Sequence, residues 1–142
     1  MKKDLTLNRD KLFKLLSLFD EAFYELKSLK EKPKADVISS KDRFILEHLF
    51  YRLSMIAIDI CFHIVAKLRG KVPSTYKNCF QNLTELGIID ISTQEKLEEL
   101  SGLRNLIAHV YWNIDYGRLY DFIDQLDELK NFRQKILSLL YK

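Results

Sequence analysis

The sequence predicts an all-α protein, a four- to five-helix up-and-down bundle, from its composition and from the spacing of its apolar residues. The chain of 142 residues has only four glycines and two prolines, and helix-forming Leu, Lys and Glu are abundant. Apolar residues recur every three or four positions, which is a helical period. Since no internal repeat, low-complexity tract or linker is visible, we expect residues 1–142 to form a single domain.

The first predicted helix covers residues 8–30. Asn8 is a suitable N-cap, and the apolar residues that follow it form one helical face. Pro33 and the polar segment 34–39 end this helix.

The second predicted helix covers residues 41–69, with Ser39 or Ser40 as its cap and Gly70 at its end. It would be about 45 Å long, more than one small core needs. Its middle is apolar nearly all round, so other parts of the protein must pack against both of its sides. We expect another subunit to pack against one of them.

The third predicted helix begins at Pro73 and Ser74 and ends at Gly87, and an apolar connection over residues 88–91 follows. No sheet partner for that connection is evident.

Two further helices complete the predicted bundle. Ser92 and Glu95 form a possible capping box for a fourth helix that runs to about Trp112. A turn over residues 113–117 then leads to a fifth helix over residues 118–140.

Composition predicts a soluble cytoplasmic protein without a membrane segment. The chain is 47% hydrophobic and 30% charged, and its net charge of +3 permits RNA binding without requiring it. The most apolar run, residues 53–66, is interrupted by Asp59 and His63 and is too short to cross a bilayer. Residues 1–3 are followed by Asp4 rather than by an apolar segment, so no signal peptide is predicted.

The two cysteines, Cys61 and Cys79, lie in apolar helical patterns far from any CxxC or Cys/His cluster. We therefore expect buried free thiols in a reducing cytoplasm rather than a disulfide.

The segment 104–111 carries the chemistry of the chain. On one continuous helix, Arg104, Asn105, His109 and Tyr111 would lie within about 160° of arc. A guanidinium binds phosphate through a planar fork of donors, and an imidazole exchanges a proton near neutral pH. The four side chains are thus suited to phosphodiester chemistry, although spacing alone is weak evidence for it.

The pattern Arg-Asn-x3-His-x-Tyr resembles the signature of the HEPN superfamily, and its tyrosine resembles that of the HepT-like toxins of HepT/MntA toxin-antitoxin systems. The resemblance extends over residues 40–132. It includes, in order, the segments 59–64, 73–76 and 87–89, and Tyr120 beyond the motif.

This resemblance implies a metal-independent endoribonuclease that needs no cofactor. His109 would act as general base toward a ribose 2′-hydroxyl, Arg104 would clamp the phosphate, and Asn105 would orient the phosphate or the imidazole. The product would be a 2′,3′-cyclic phosphate. The absence of an acidic or His/Cys metal motif in the sequence agrees with this.

The same resemblance implies two protein partners. One histidine cannot easily serve as both base and acid, so a homodimer with its cleft at the interface would supply a second copy. The other partner would be a nucleotidyltransferase-fold, MntA-like antitoxin that transfers AMP to Tyr111, and the added charge and bulk would exclude RNA.

Other polar residues have plainer interpretations. Asp59 and His63 lie one turn apart on the second helix, and Arg52 lies two turns before Asp59. They form either a polar network that fixes helix register or second-shell support for the motif. His48 and the N-terminal lysines are interpreted as solvated residues.

Two alternatives to the toxin hypothesis remain. The chain could be a non-catalytic accessory subunit that holds nucleotide or substrate for a separate nucleotidyltransferase. It could also be a helical dimerisation module in which the motif only caps a helix end.

Overall fold

The computed structural model describes residues 7–141. The first six residues, which carried the prediction that no signal peptide is present, and Lys142 lie outside the described part. Within it every regular element is helical, so the predicted all-α fold is confirmed. The α-helices are α1 Arg9–Leu29, α2 Lys34–Ile38, α3 Asp42–Arg69, α4 Tyr76–Glu85, α5 Ile91–His109, α6 Tyr116–Phe122 and α7 Leu129–Leu140.

Helix α3 is the centre of the bundle. It packs against α1 on one side and α5 on another, and it also contacts α4 and α6. Its length and composition alone would allow it to cross a membrane, but half of its most apolar window is buried inside the bundle. Burial of this kind is expected for the central helix of a bundle.

One face of α3 is not covered by its own chain. Phe44 and Ile45 are about half exposed, and Tyr51 is also exposed, although the rest of the helix is rich in buried residues. Large apolar side chains on one helix face in contact with solvent are typical of an interaction surface.

Several helix ends are capped as the sequence predicts. The Asn8 side chain accepts a hydrogen bond from the Lys11 backbone N–H at 3.0 Å. Ser40 Oγ accepts one from the Asp42 backbone N–H at 3.2 Å, although the residue directly before α3 is Lys41, whose side chain makes no cap. Gly70 ends α3 with a φ of +77°, a left-handed conformation that favours glycine.

Two helix starts differ from the prediction. The predicted capping box at Ser92 is wrong, because Asp90 lies two residues earlier and its carboxylate already accepts from the Thr93 N–H at 2.8 Å. The third helix begins at Tyr76 rather than near Pro73, because the Thr75 hydroxyl accepts from the N–H of Asn78 at 3.0 Å.

Two further differences from the prediction are an additional short helix, α2, and a break in the predicted fifth helix. Helix α2 occupies part of the polar segment 34–39, which was predicted to end the first helix, and its Val37 is fully buried. The predicted fifth helix is divided into α6, a 3₁₀ segment Ile123–Glu128 and α7. The apolar period continues through that segment, with Ile123 and Leu126 buried, so the pattern alone does not reveal the change of helix type.

The prediction of free thiols is wrong, because Cys61 of α3 and Cys79 of α4 form a disulfide. The packing of α4 against α3 brings their Cα atoms to 6.3 Å, within the range that a disulfide spans. Their separation of 18 positions matches no short cysteine motif, so the pairing depends on tertiary contact. Helix α4 is therefore covalently tied to the central helix.

Candidate active site at the end of α5

Arg104, Asn105 and His109 lie on the last two turns of α5, as predicted. The helix ends at His109, and the Val110 N–H closes it with a 2.8 Å bond to the Leu106 carbonyl. Tyr111 is not on this helix, because the chain turns into a 3₁₀ segment Tyr111–Asn113. The predicted common arc of four residues therefore applies only to the first three.

Arg104 faces α3. Its guanidinium carbon lies 6.0 Å from the centre of the Tyr51 ring, a cation–π distance. Its Nε is buried and has no hydrogen-bond partner within residues 7–141. Leaving a buried donor without an acceptor costs stability. A catalytic role is one of the situations in which such a donor is found.

Asn105 faces α4. Its Nδ2 donates a hydrogen bond of 2.8 Å to the hydroxyl of Tyr76, the first residue of that helix. Sequence reasoning noted Tyr76 only as part of the resemblance and assigned it no role. The contact joins residues 29 positions apart on different helices, so no local spacing rule could find it.

His109 and the following turn are open to solvent. His109 is exposed, and Tyr111 and Trp112 are 69% and 72% exposed. The Tyr111 and Trp112 rings meet edge to face, with centroids 5.4 Å apart. Two adjacent aromatic rings that the chain leaves uncovered form a surface suited to stacking or to contact with another molecule.

The cavities beside α5 lie next to the motif and do not contain it. A cavity of about 610 Å³ is lined by Gly102, Leu103 and Leu106 of α5 together with residues of α2 and α6. A second of about 250 Å³ lies under the turn after α5. None of the four motif residues lines either one, so the motif belongs to an open surface.

The structure does not bring Asp59 and His63 to the motif. His63 Nε2 accepts a 3.0 Å hydrogen bond from the backbone N–H of Asn8, at the start of α1. Asp59 is exposed. The pKa of His63 is lowered by burial, and the positive charges of Lys11 and Lys67 lower it further. The contact of His63 thus connects α3 to α1.

A helical bundle with an arginine, an amide and a histidine at the open end of one helix corresponds to the class of HEPN-type ribonucleases. Residues 19–136 match the family described as Ribonuclease HepT-like. The chain belongs to this family.

Similar proteins agree with that assignment. The chain is 34% identical over 110 residues to the tRNA nuclease HepT of Aphanizomenon flos-aquae, covering 74% of this chain and 72% of that protein. It is 34% identical over 87 residues to a protein of Archaeoglobus fulgidus named "Putative RNase", covering 61% of this chain and 65% of that protein, just under two thirds of its length.

The fold is shared with a solved toxin. The tri-AMPylated HEPN toxin of Shewanella oneidensis, in complex with its MNT antitoxin, superposes with a TM-score of 0.81 over 89% of this chain and 96% of that chain. Its sequence identity is 16%, so this likeness concerns the fold.

Proposed function

We propose that this protein is the toxin of a toxin-antitoxin system and acts as a metal-independent endoribonuclease. The observation that carries the proposal is the open end of α5, where a buried and unpaired arginine nitrogen lies five positions before an exposed histidine. The guanidinium supplies the positive charge that a phosphate needs, and the imidazole supplies the base.

In the proposed reaction, His109 takes the proton from a ribose 2′-hydroxyl and the 2′-oxygen forms a bond to phosphorus. The bond from phosphorus to the 5′-oxygen then breaks and leaves a 2′,3′-cyclic phosphate. Arg104 stabilises the negative charge that develops on the phosphoryl oxygens, and Asn105 orients the phosphate or the imidazole.

The leaving 5′-oxygen needs a proton, and we propose that His109 of a second copy of the chain donates it. Two observations support a homodimer with a shared cleft. Phe44, Ile45 and Tyr51 leave an apolar face of α3 exposed, and Arg104 lies against Tyr51, so this face continues to the motif. The motif also lines neither cavity beside α5, so a cleft around it requires another surface.

We further propose that a nucleotidyltransferase-fold antitoxin of the MntA kind neutralises the toxin by transferring AMP to Tyr111. The hydroxyl group lies on a highly exposed side chain two residues after His109. Each AMP would add a phosphate charge and an adenosine at the mouth of the cleft, and both would exclude RNA. A cytoplasmic location, where RNA and antitoxin meet, follows from this proposal.

Cleavage of RNA by the purified protein in excess EDTA tests the proposal. We expect activity in EDTA and a loss of at least about 100-fold for His109→Ala and for Arg104→Ala. Arg118→Ala is a matched control, because Arg118 is exposed and lies beside the motif in the neighbouring cavity. Equal cleavage by all four proteins would overturn the catalytic assignment.

Expression of the chain without an antitoxin separates the toxin from the accessory-subunit alternative. The toxin should arrest growth and the His109→Ala variant should not. A chain that neither arrests growth nor cleaves RNA, yet still binds a nucleotidyltransferase, would support the accessory role.

A further inference from the structure

The hydrogen bond between Asn105 and Tyr76 crosses from the motif helix to the start of α4. The donor is the Asn105 amide, and the oxygen of the Tyr76 hydroxyl accepts at 2.8 Å. Within the described residues, this hydrogen bond connects α4 to a residue of the motif. Both side chains are partly exposed.

Tyr76 is itself held firmly. Thr75 caps the helix that begins with Tyr76. The Tyr76 ring lies 6.1 Å from the ring of Phe80, which is fully buried. One turn along, Cys79 ties the same helix to α3. The Tyr76 hydroxyl is therefore a fixed point relative to the central helix.

A fixed acceptor changes what the amide of Asn105 can do. Without it, the side chain would rotate between several positions near the end of the helix. With one amide hydrogen bound to Tyr76, the carbonyl oxygen and the second amide hydrogen point in set directions and remain available to a phosphate or to an imidazole.

We propose that Tyr76 is a positioning residue that sets the orientation of Asn105 in the RNA-cleaving site. The inference rests on the proposed function, and it adds a residue from a second helix to a site otherwise built on α5. Tyr76 acts through Asn105 and is not assigned a contact with the substrate.

Tyr76→Phe tests this inference, because it removes only the hydroxyl and keeps the ring packed on Phe80. We expect kcat for RNA cleavage to fall about three- to tenfold, the effect of losing one neutral hydrogen bond, with KM unchanged. Tyr120→Phe is the matched control, since the Tyr120 hydroxyl also makes a long-range hydrogen bond, in this case as the donor to the Lys32 carbonyl at 2.6 Å, but lies outside the motif. It should leave kcat unchanged.

A double-mutant cycle distinguishes positioning from a general loss of structure. If Tyr76 acts through Asn105, adding Tyr76→Phe to Asn105→Ala should cause no further loss of kcat. Independent effects that multiply in the double variant, or a wild-type kcat for Tyr76→Phe, would overturn the inference while leaving the ribonuclease assignment intact.

A failure to cleave RNA would refute the proposed function, but it would not test the contact between Asn105 and Tyr76. A spectroscopic measurement tests that contact independently of activity. The side-chain amide signals of Asn105 in a ¹⁵N-labelled sample should shift in Tyr76→Phe and remain in place in Tyr120→Phe. Unchanged Asn105 amide signals in both variants would overturn the positioning role.

Discussion

Charged side chains in the two halves of α5 differ in whether the fold supplies partners for them. In the first half, Lys96 is almost completely buried, yet its ammonium contacts the carboxylates of Glu99 at 2.9 Å and Glu128 at 3.5 Å, and it also bonds to the Gln125 side chain. In the second half, the Arg104 Nε is buried with no hydrogen-bond partner in the described chain, and His109 is exposed.

This difference separates a charged group that the fold satisfies with internal partners from one whose Nε donor has none in the described chain. Burial of Lys96 acts to lower its pKa, but the hydrogen bonds and charges of Glu99 and Glu128 outweigh burial and raise it. Its charge is therefore satisfied internally. Arg104 is not satisfied in this way, which is consistent with a ligand that completes it.

The largest expected effect comes from Arg104→Met. RNA cleavage should fall at least about 100-fold because the charge on the phosphate loses its clamp. The free energy of unfolding should stay within about 0.5 kcal/mol of wild type or increase, since an unpaired buried nitrogen is removed. Single-turnover cleavage and urea denaturation measure the two quantities. A loss of stability above about 1 kcal/mol would show that Arg104 supports the fold.

Lys96→Met should have the opposite effects to Arg104→Met, with a loss of stability and no loss of RNA cleavage. We expect the free energy of unfolding to fall by about 1–2 kcal/mol, because two carboxylates and an amide lose their shared partner. Cleavage of RNA should not change. Lys130→Met is the control, since Lys130 is exposed, pairs with Asp127 at 3.5 Å and lies 6.0 Å from the centre of the Phe23 ring. Its effect should stay below about 0.5 kcal/mol. If Lys96→Met and Lys130→Met lowered the free energy of unfolding equally, the buried position of Lys96 would make no difference to stability.

Asp90→Ala should destabilise the protein by about 1 kcal/mol, because the first turn of α5 loses its cap. Ser92→Ala provides the comparison, since the sequence pattern would make Ser92 the cap and the structure places it inside the helix. Thermal unfolding of the two variants shows whether Asp90 or Ser92 caps the start of α5. A larger effect at Ser92 would contradict the structure.

The smallest expected effect is a pH dependence at His63, outside the motif. Because its pKa is lowered in the folded state, the unfolded chain binds the proton more tightly. The contribution to stability is present above the ordinary pKa of about 6.5 and is lost as pH falls through the lowered pKa. Melting temperature should therefore fall more between about pH 8 and pH 5 in wild type than in His63→Gln. Parallel curves would refute this role.

The sequence predicts the helices and the motif because both depend on local patterns. The apolar period places α1 and α3 within a few residues, and Asn8 and Gly70 mark ends that the structure confirms. Arg104, Asn105 and His109 are close on one helix by spacing alone. The resemblance to the HEPN superfamily depends on the same short pattern and its neighbours, and the family match over residues 19–136 agrees with it.

The features that sequence reasoning missed depend on contacts between distant residues. The Cys61–Cys79 disulfide and the Asn105–Tyr76 hydrogen bond require α4 to pack against both α3 and α5, a geometry that no single helix encodes. Tyr111 lies outside the helix predicted to contain it, because α5 ends at His109, three residues before the predicted end at Trp112, and the apolar pattern does not mark this end.

The disulfide also determines whether the two products of a proteolytic cut stay joined. The connection between α3 and α4, residues 70–75, is exposed except at Pro73. It lies inside the loop that Cys61 and Cys79 close. A single cut there would produce two fragments, one ending after α3 and one beginning before α4, that remain one covalent molecule until the bond is reduced. On a denaturing gel the nicked protein would migrate as one band without reductant and as two with it, with the motif carried on the C-terminal fragment.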